Sequence, residues 1–134
     1  MKKYYKALPR DFPSDRCWSV TYVPDVWIGP TIKHSKLSVF DNLEDATNFA
    51  PHYNIWECVV INPHKPPLYR CSSIDSSLVD IEEFWEIVHK ASKNKKSIRN
   101  ALNAHTKYYL AWPVGTYHVD KLMLTKKLPR KKYE

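Results

Sequence analysis

The sequence predicts an α+β fold, with a small, mainly antiparallel sheet of about five or six short strands and two or three helices. Three observations lead to this prediction. The chain has 134 residues, a length that suits one domain around a single core. Several short runs rich in β-branched and aromatic residues alternate in polarity with period two, as strands do. Two later segments carry apolar residues at helical spacing and are grouped apart from most of the strand runs.

Six runs are predicted to form strands because they combine period-two alternation with strand-forming residues. In chain order they are "KKYYKALP", "CWSVTYV", "KLSVF", "NIWECVVI", "YYLAW" and "TYHVDKLMLT". The fourth run is the most apolar and is predicted to be the central strand. Residues 24–36 hold two prolines and a glycine, so they are predicted to form a loop. Trp27 in this loop either packs on the core or is open to a partner.

The first predicted helix spans residues 41–50. Asp41 is its predicted N-cap, and Glu44 three residues later completes a capping box. The side chains predicted to face inward are Leu43, Ala46 and Phe49.

The clearest predicted helix is "DIEEFWEIVHKA", residues 80–91, with Asp80 as N-cap and Glu83 as its capping-box partner. Its apolar stripe consists of Ile81, Phe84, Trp85 and Val88. A further helix is predicted to start at Ser97. Its inward residues are Ile98, Ala101 and Leu102.

Glycine is too scarce for the common phosphate-binding loops. The chain has two glycines, Gly29 and Gly115, against ten prolines. Walker loops, dinucleotide fingerprints and kinase-type loops each need several glycines close together, so that the backbone can approach phosphate. The composition therefore excludes the usual nucleotide-binding enzyme classes.

The three cysteines, Cys17, Cys58 and Cys71, are odd in number and have no Cys-x-x-Cys spacing. We expect no secretory leader and no membrane-spanning run. Together these features predict a cytoplasmic protein without a membrane partner, in which the thiols act as small apolar side chains. Cys58 lies in the most apolar strand run and is expected to be buried.

Charge is divided unevenly along the chain, whose net charge is +7. Residues 1–89 hold 9 bases and 12 acids, whereas residues 90–134 hold 12 bases and 2 acids. Such segregation can attract a polyanion to one part of a protein while another part stays nearly neutral. We expect residues 1–125 to form a single α+β domain and residues 126–134 to form a basic C-terminal tail.

The basic C-terminal third supplies the candidate residues for binding nucleic acid, an acidic surface or a nucleoprotein. They lie around the helical joint "HKASKNKKSIRN", in the segment after it and in the tail. These residues are Lys90, Lys93, Lys95, Lys96, Arg99, Lys107, Tyr108, Tyr109, Lys126, Lys127, Arg130, Lys131 and Lys132. Bases would neutralise phosphates, and tyrosine rings would stack on nucleobases. The alternative is that the same residues form a solvated joint, a soluble tail and packed strands.

Candidate catalytic groups are few. No pair of histidines or cysteines has standard zinc spacing, so neither a metal nor a cofactor is expected. Glu57 lies in the predicted central strand, where a carboxylate has to be paired, protonated or open to a pocket, unless that face meets solvent. His118 and Asp120 lie two residues apart in one predicted strand, so they would share a face. They would form either a general-base pair or an ordinary surface hydrogen bond.

Three segments together resemble the layout of small accessory proteins encoded by bacteriophages. These segments are "LSVFDNLEDATNFA", "IWECVVI" and "GTYHVDKLMLTKKL". Some such proteins resemble a minimal ADP-ribosyltransferase-type α+β fold. The resemblance implies a location in the host cell cytosol and a role against a host defence system. If the activity of that fold also carries over, it implies that Glu57 orients a bound nucleotide.

We therefore expect a small basic binding protein rather than an enzyme. It would engage nucleic acid or a nucleoprotein by occlusion, and the resemblance extends this to an anti-CRISPR-like inhibitor of a host defence system. One alternative is an ADP-ribosyltransferase-like enzyme that binds a nucleotide and uses Glu57. Another alternative is a virion or assembly component whose basic face meets packaged genome or another subunit.

Overall fold

The computed structural model describes residues 2–8, 16–17, 20–66, 70–71, 78–94, 97–103, 110–111 and 113–129. Its strands are β1 (Tyr4–Leu8), β2 (Arg16–Cys17), β3 (Val20–Thr21), β4 (Trp27–Ile28), β5 (Leu37–Phe40), β6 (Asn54–Ile61), β7 (Arg70–Cys71), β8 (Leu110–Ala111), β9 (Thr116–Val119) and β10 (Lys121–Lys127). Its helices are α1 (Leu43–Phe49), α2 (Leu78–Lys93) and α3 (Ile98–Asn103). Within these ranges, three helices and a six-stranded antiparallel sheet confirm the predicted α+β fold.

The chain divides into two compact units. Unit 1 comprises Met1–Pro30, Lys36–Lys65 and Pro113–Glu134, and unit 2 comprises Thr31–Ser35 and Pro66–Trp112. Unit 1 contains α1, the β2–β3 pair and a six-stranded sheet of order β4-β10-β6-β1-β5-β9. Unit 2 contains α2, α3 and the β7–β8 pair. The single domain ending at residue 125 stays a prediction.

The sheet of unit 1 curls until its two ends meet along one stretch of chain. Only Asp120 separates β9 from β10, yet β9 pairs with β5 at one end of the strand order and β10 pairs with β4 and β6 near the other. The Asp120 amide donates to the Ile61 carbonyl at 3.0 Å. Beyond β6, His64 and His118 exchange backbone hydrogen bonds of 3.0 and 2.8 Å. The segment that follows β6 therefore occupies the outer edge of β9.

The core of unit 1 lies on one face of this sheet. Side chains with at most 1% exposure in this core are Leu8, Val39, Cys58, Val119, Leu122 and Leu124. Each apolar side chain buried to this degree contributes roughly 1.5–3 kcal/mol. Strand β6 lies between β1 and β10, so the predicted central position of this run is confirmed. The predicted burial of Cys58 is also confirmed.

Helix α1 covers part of the opposite face, above β1 and β5. Ala46 is fully buried, as predicted. Leu43 and Phe49 are 40% and 46% exposed, so these two side chains are only partly buried and do not face fully inward as predicted. The Phe49 ring still contacts Phe40, with ring centroids 5.3 Å apart. A helix of two turns is too short to bury a full stripe on a curled sheet.

The N-cap of α1 is Asn42, and the predicted cap at Asp41 is wrong by one residue. Asn42 Oδ1 accepts from the Asp45 amide at 2.8 Å, and Asn42 Nδ2 donates to Asp45 Oδ2 at 2.7 Å. Asp41 and Glu44 have the same three-residue spacing as Asn42 and Asp45, so the capping pattern fits both registers.

The core of unit 2 is formed by α2 and α3. The buried residues are Phe84, Trp85, Val88 and Leu102, and partly buried Ile32, Ile87 and Ile98 pack against them. The predicted inward positions of Phe84, Trp85 and Val88 are confirmed. Helix α2 begins at Leu78, so Asp80 lies inside its first turn and is not its N-cap. Ser97 Oγ accepts from the Asn100 amide at 3.2 Å, which supports the predicted start of α3.

Two strand predictions are wrong in detail. The run "CWSVTYV" does not form one strand, because β2 and β3 pair with each other through Cys17 and Val20. A period-two pattern contains no information about where a chain turns back. The predicted loop at residues 24–36 contains β4, which pairs with β10 and holds Trp27 at 45% exposure.

Candidate nucleic-acid interface

The joint between α2 and α3 presents bases to solvent because the apolar sides of both helices pack inward. Val88 of α2 and Leu102 of α3 are buried in the core of unit 2. Lys90, Lys93 and Arg99 lie elsewhere on the same two helices and are exposed. The helical period therefore separates the basic side chains from the core and leaves them open to a partner.

Among the described residues, the acidic partner of Lys90 is Glu86, and their ion pair is weak. Lys90 Nζ lies 3.8 Å from Glu86 Oε1, one helical turn earlier, and the two side chains are 70% and 45% exposed. An exposed pair of this spacing contributes only about 0.3–0.5 kcal/mol, so a phosphate can replace the carboxylate easily. Lys90 and Lys93 also lie in the last turn of α2, where positive charge interacts favourably with the helix dipole.

Two imidazoles lie beside these bases. The rings of His34 and His89 are stacked, with centroids 3.5 Å apart and planes 7° from parallel. Desolvation lowers the pKa of His34 below 6.5, and the nearby charges of His89, Lys33 and Lys93 lower it further, against an opposing effect of Glu86. His34 Nε2 lies 3.8 Å from Glu86 Oε2. This group adds Lys33 and a ring pair to the candidate surface.

Sequence reasoning missed the histidine pair. In the sequence, His34 falls in the predicted loop at residues 24–36 and His89 near the end of the predicted helix at residues 80–91. The contact joins residues far apart in the chain, and no spacing rule connects them. His34 also adopts a positive φ of 66°, which spacing alone does not reveal for a residue other than glycine.

The other predicted binding residues fall into two groups. Lys126 and Lys127 are exposed residues of β10, whose register pairs them with Glu57 and Trp56 of β6. They belong to unit 1, whereas Lys90, Lys93 and Arg99 belong to unit 2. The candidates that lie outside the described residues are Lys95, Lys96, Lys107, Tyr108, Tyr109, Arg130, Lys131 and Lys132.

Glu57, the candidate catalytic carboxylate, is paired with a lysine. Its side chain is 15% exposed, and its Oε2 lies 3.5 Å from Lys3 Nζ. In the sheet register Glu57 lies between Tyr5 of β1 and Lys126 of β10. Its backbone carbonyl accepts from the Thr125 hydroxyl at 3.1 Å, where the register of β10 shifts. Of the alternatives given above for a carboxylate in this strand, pairing is the one that the geometry shows.

His118 and Asp120 do not lie on one uninterrupted strand. β9 ends at Val119 and β10 begins at Lys121, with a bend at Asp120. Val119 and Leu122 would point to opposite faces of a regular strand, yet both are fully buried in the core of unit 1. The predicted uninterrupted alternation through this run is therefore wrong, because the bend changes which residues face inward.

Asp120 is held by two donors from neighbouring segments. Its carboxylate accepts from Lys36 Nζ and, at 3.0 Å, from Asn62 Nδ2. These two hydrogen bonds lower the pKa of Asp120 below 3.8. Asn62 adopts a positive φ of 56°, and its carbonyl lies 3.0 Å from His64 Nδ1. Asp120 therefore ties the bend between β9 and β10 to the segment after β6.

His118 is enclosed and electrically neutral at neutral pH. It is 1% exposed, and burial lowers its pKa to about 3, with further lowering from His64, Lys36 and Lys6. The ring of His64 lies edge-on at 6.1 Å. An imidazole with so low a pKa accepts a proton poorly at neutral pH, so it is a weak candidate for a general base.

Within the described residues, neither a metal-binding cluster nor a membrane-spanning helix is present. No cluster of three or more His, Cys, Asp or Glu side chains in that part of the chain is arranged to hold a metal ion. None of the helices described there has the length and apolar character needed to cross a bilayer. Comparison of the chain with protein-family models, with curated proteins and with solved structures found no match.

Proposed function

We propose that this protein is a small basic binding protein that covers nucleic acid, or the surface of a nucleoprotein, by occlusion. One observation supports the proposal best: Lys90, Lys93 and Arg99 are all exposed where α2 ends and α3 begins. The stacked imidazoles and Lys33 adjoin the same charges. In the described contacts of this surface, Glu86 is the acidic partner of both His34 and Lys90, and both of these ion pairs are weak.

The chemistry of this surface suits phosphate contact without base-specific recognition. Lysine forms point contacts with phosphate and does not provide the planar fork that reads a guanine edge. Each neutralised phosphate of a duplex releases counterions and adds a slope of about −0.9 to the dependence of log affinity on log salt. Four contacts from Lys33, Lys90, Lys93 and Arg99 would weaken affinity roughly 150-fold between about 50 and 200 mM salt.

Fluorescence anisotropy with labelled duplex DNA, single-stranded DNA and RNA at several salt concentrations tests the proposal. The expected result is binding at low salt that weakens steeply as salt rises. Arg99→Glu and Lys93→Glu should each lower affinity and flatten the salt dependence by about one or two contacts. Failure of the wild-type protein to bind any of the three probes at low salt would reject the proposal.

A matched control separates this surface from general charge. Lys65 is exposed in unit 1, outside the joint, and Lys65→Glu changes the net charge as much as either test variant does. We expect Lys65→Glu to bind almost as the wild type does. If all three variants weaken binding equally, overall charge rather than the helical joint is responsible, and the proposed interface is wrong.

Two further parts of the proposal come from the resemblance to phage accessory proteins. As an inhibitor of a host defence system, the protein would act by covering the nucleic acid or nucleoprotein that the system uses. As an enzyme, it would instead need the carboxylate of Glu57. Glu57→Gln discriminates between these roles, because it should abolish a transferase activity but should not weaken occlusion.

A further inference from the structure

Among the described residues, helix α1 covers only part of the face of the unit 1 sheet that lies opposite the core. Helix α1 packs above β1 and β5, where Phe40 and Ala46 are buried. On the same face, the part formed by β6, β10 and β4 carries large apolar side chains that meet solvent. Trp27 and Ile61 are 45% and 43% exposed there.

A row of apolar side chains crosses three strands on this face. In the sheet register Met123 of β10 pairs with Trp27 of β4 on one side and with Val59 of β6 on the other. Directly paired residues of antiparallel strands point to the same face, with Cβ atoms about 4.5–5.5 Å apart. The indole of Trp27 thus lies at one end of a short apolar strip, at the open edge of the sheet.

Lysines lie on both sides of this strip. Lys121 pairs with Ile61, and after the bulge Lys126 pairs with Glu57, which also contacts Lys3 at 3.5 Å. We call this surface the outer sheet face. It consists of Trp27, Val59, Ile61 and Met123 together with Lys3, Lys121, Lys126 and Glu57. Three bases and one acid give it a net positive charge.

We propose that the outer sheet face binds single-stranded nucleic acid, with a nucleobase stacked on Trp27 and phosphates near Lys121 and Lys126. This inference rests on the proposed function and specifies its substrate class and a second surface. A single strand presents exposed base faces and a phosphate chain side by side, which matches an apolar strip flanked by lysines. A duplex hides its base faces, so Trp27 would have no ring to contact.

The spacing of the side chains agrees with this occupant. Lys121 and Met123 are two residues apart on β10, which places their side chains about 7 Å apart on one face. A base on the strip can therefore have its phosphate within reach of the long lysine side chain. A purely apolar partner would gain nothing from the lysines and would have to desolvate them.

The test measures the affinity of the full-length protein for an oligothymidylate and for a duplex by anisotropy. Trp27→Ala should weaken oligothymidylate binding about 5- to 150-fold, the range for loss of one stacked base, and leave duplex binding unchanged. Lys121→Gln should reduce the salt slope for the single strand by about 0.7. Trp27→Phe keeps a ring and should retain most of the affinity.

Phe49→Ala is the matched aromatic control, because Phe49 is 46% exposed in the same unit and lies on α1. It should bind the oligothymidylate as the wild type does. Thermal melting of each variant shows that it is folded before binding is compared, and Trp27→Phe serves if Trp27→Ala does not fold.

The outcomes separate this inference from the proposed function. If the wild type binds no nucleic acid, the proposed function fails and this inference fails with it. If Arg99→Glu weakens binding but Trp27→Ala and Trp27→Phe bind the oligothymidylate as the wild type does, only the inference about the outer sheet face is wrong. A loss confined to the single strand in Trp27→Ala supports it.

Discussion

Acidification should destabilise this protein through His118. The side chain is 1% exposed, and burial holds its pKa at about 3, whereas an unfolded chain has an ordinary histidine value of 6.5. At a pH between the folded and the unfolded pKa of His118, this side chain binds a proton in the unfolded chain but not in the folded protein. The free energy of unfolding therefore decreases as pH falls below about 6.5 and levels off only near the folded pKa.

The expected magnitude follows from the two pKa values. With a folded pKa of about 3 and an unfolded value of 6.5, the His118 contribution decreases by about 2.7 kcal/mol between about pH 7.5 and 4.5. This is a large part of the 5–15 kcal/mol that stabilises a typical domain. Asp120 acts in a different pH range, since its lowered pKa contributes stability that is lost only below about its unfolded value of 3.8.

Urea unfolding at a series of pH values measures this effect. Between about pH 7.5 and 4.5, we expect the free energy of unfolding to decrease by about 2.7 kcal/mol more in the wild type than in His118→Gln. His52→Gln is the substitution control, because it removes an exposed imidazole from the turn before β6. If His118→Gln shows the same decrease as the wild type, protonation of His118 is not the cause and the argument from burial is refuted.

Three further predictions concern stability and reactivity. Gly115→Ala should lower the free energy of unfolding by at least about 1–3 kcal/mol, because Gly115 has a φ of 82° and a Cβ there would lie 2.3 Å from Asp45 Oδ2. Gly29→Ala should be tolerated in the same thermal melts, because a Cβ at Gly29 would have no neighbour closer than 3.8 Å. Asn42→Ala should remove the N-cap of α1 and lower the free energy of unfolding in urea by about 1 kcal/mol. An equal loss in Asp41→Ala would contradict the assignment of the cap. Cys58 is fully buried with its pKa raised to about 12, so mass mapping after thiol labelling should find it modified only in denaturant.

The sequence predicted the parts of the fold that depend on repeated local patterns. Phe84, Trp85 and Val88 recur at helical spacing, and burial of one face of α2 requires that spacing. Cys58 lies in the most apolar strand run, and this strand has neighbours on both sides in the sheet. In both cases several neighbouring residues favour the same structure, so tertiary contacts do not have to decide it.

The features that were missed depend on single residues or on distant contacts. Asp41 and Asn42 are both good N-caps, and only the contact of Asn42 with the Asp45 amide in the folded structure distinguishes them. The bend at Asp120 depends on donors from Lys36 and Asn62, which no local pattern connects to it.

The candidate site was predicted only in part for the same reason. The exposed bases around the joint follow from helical periodicity and the charge distribution. The stack of His34 on His89 and the apolar strip around Trp27 each require a pairing between separate segments. Sequence spacing reports which side chains a single element presents, but not which elements lie side by side.

The closure of the sheet has a consequence for how other chains can approach unit 1. An open edge strand offers unpaired amides and carbonyls, on which another protein can add a strand or start to aggregate. In the described part of the sheet, backbone bonds from His64 occupy the outer edge of β9. The opposite edge is β4, which is two residues long and is followed by Gly29 and Pro30. Partners of the six-stranded sheet should therefore recognise side chains on its faces rather than add a strand to its edges.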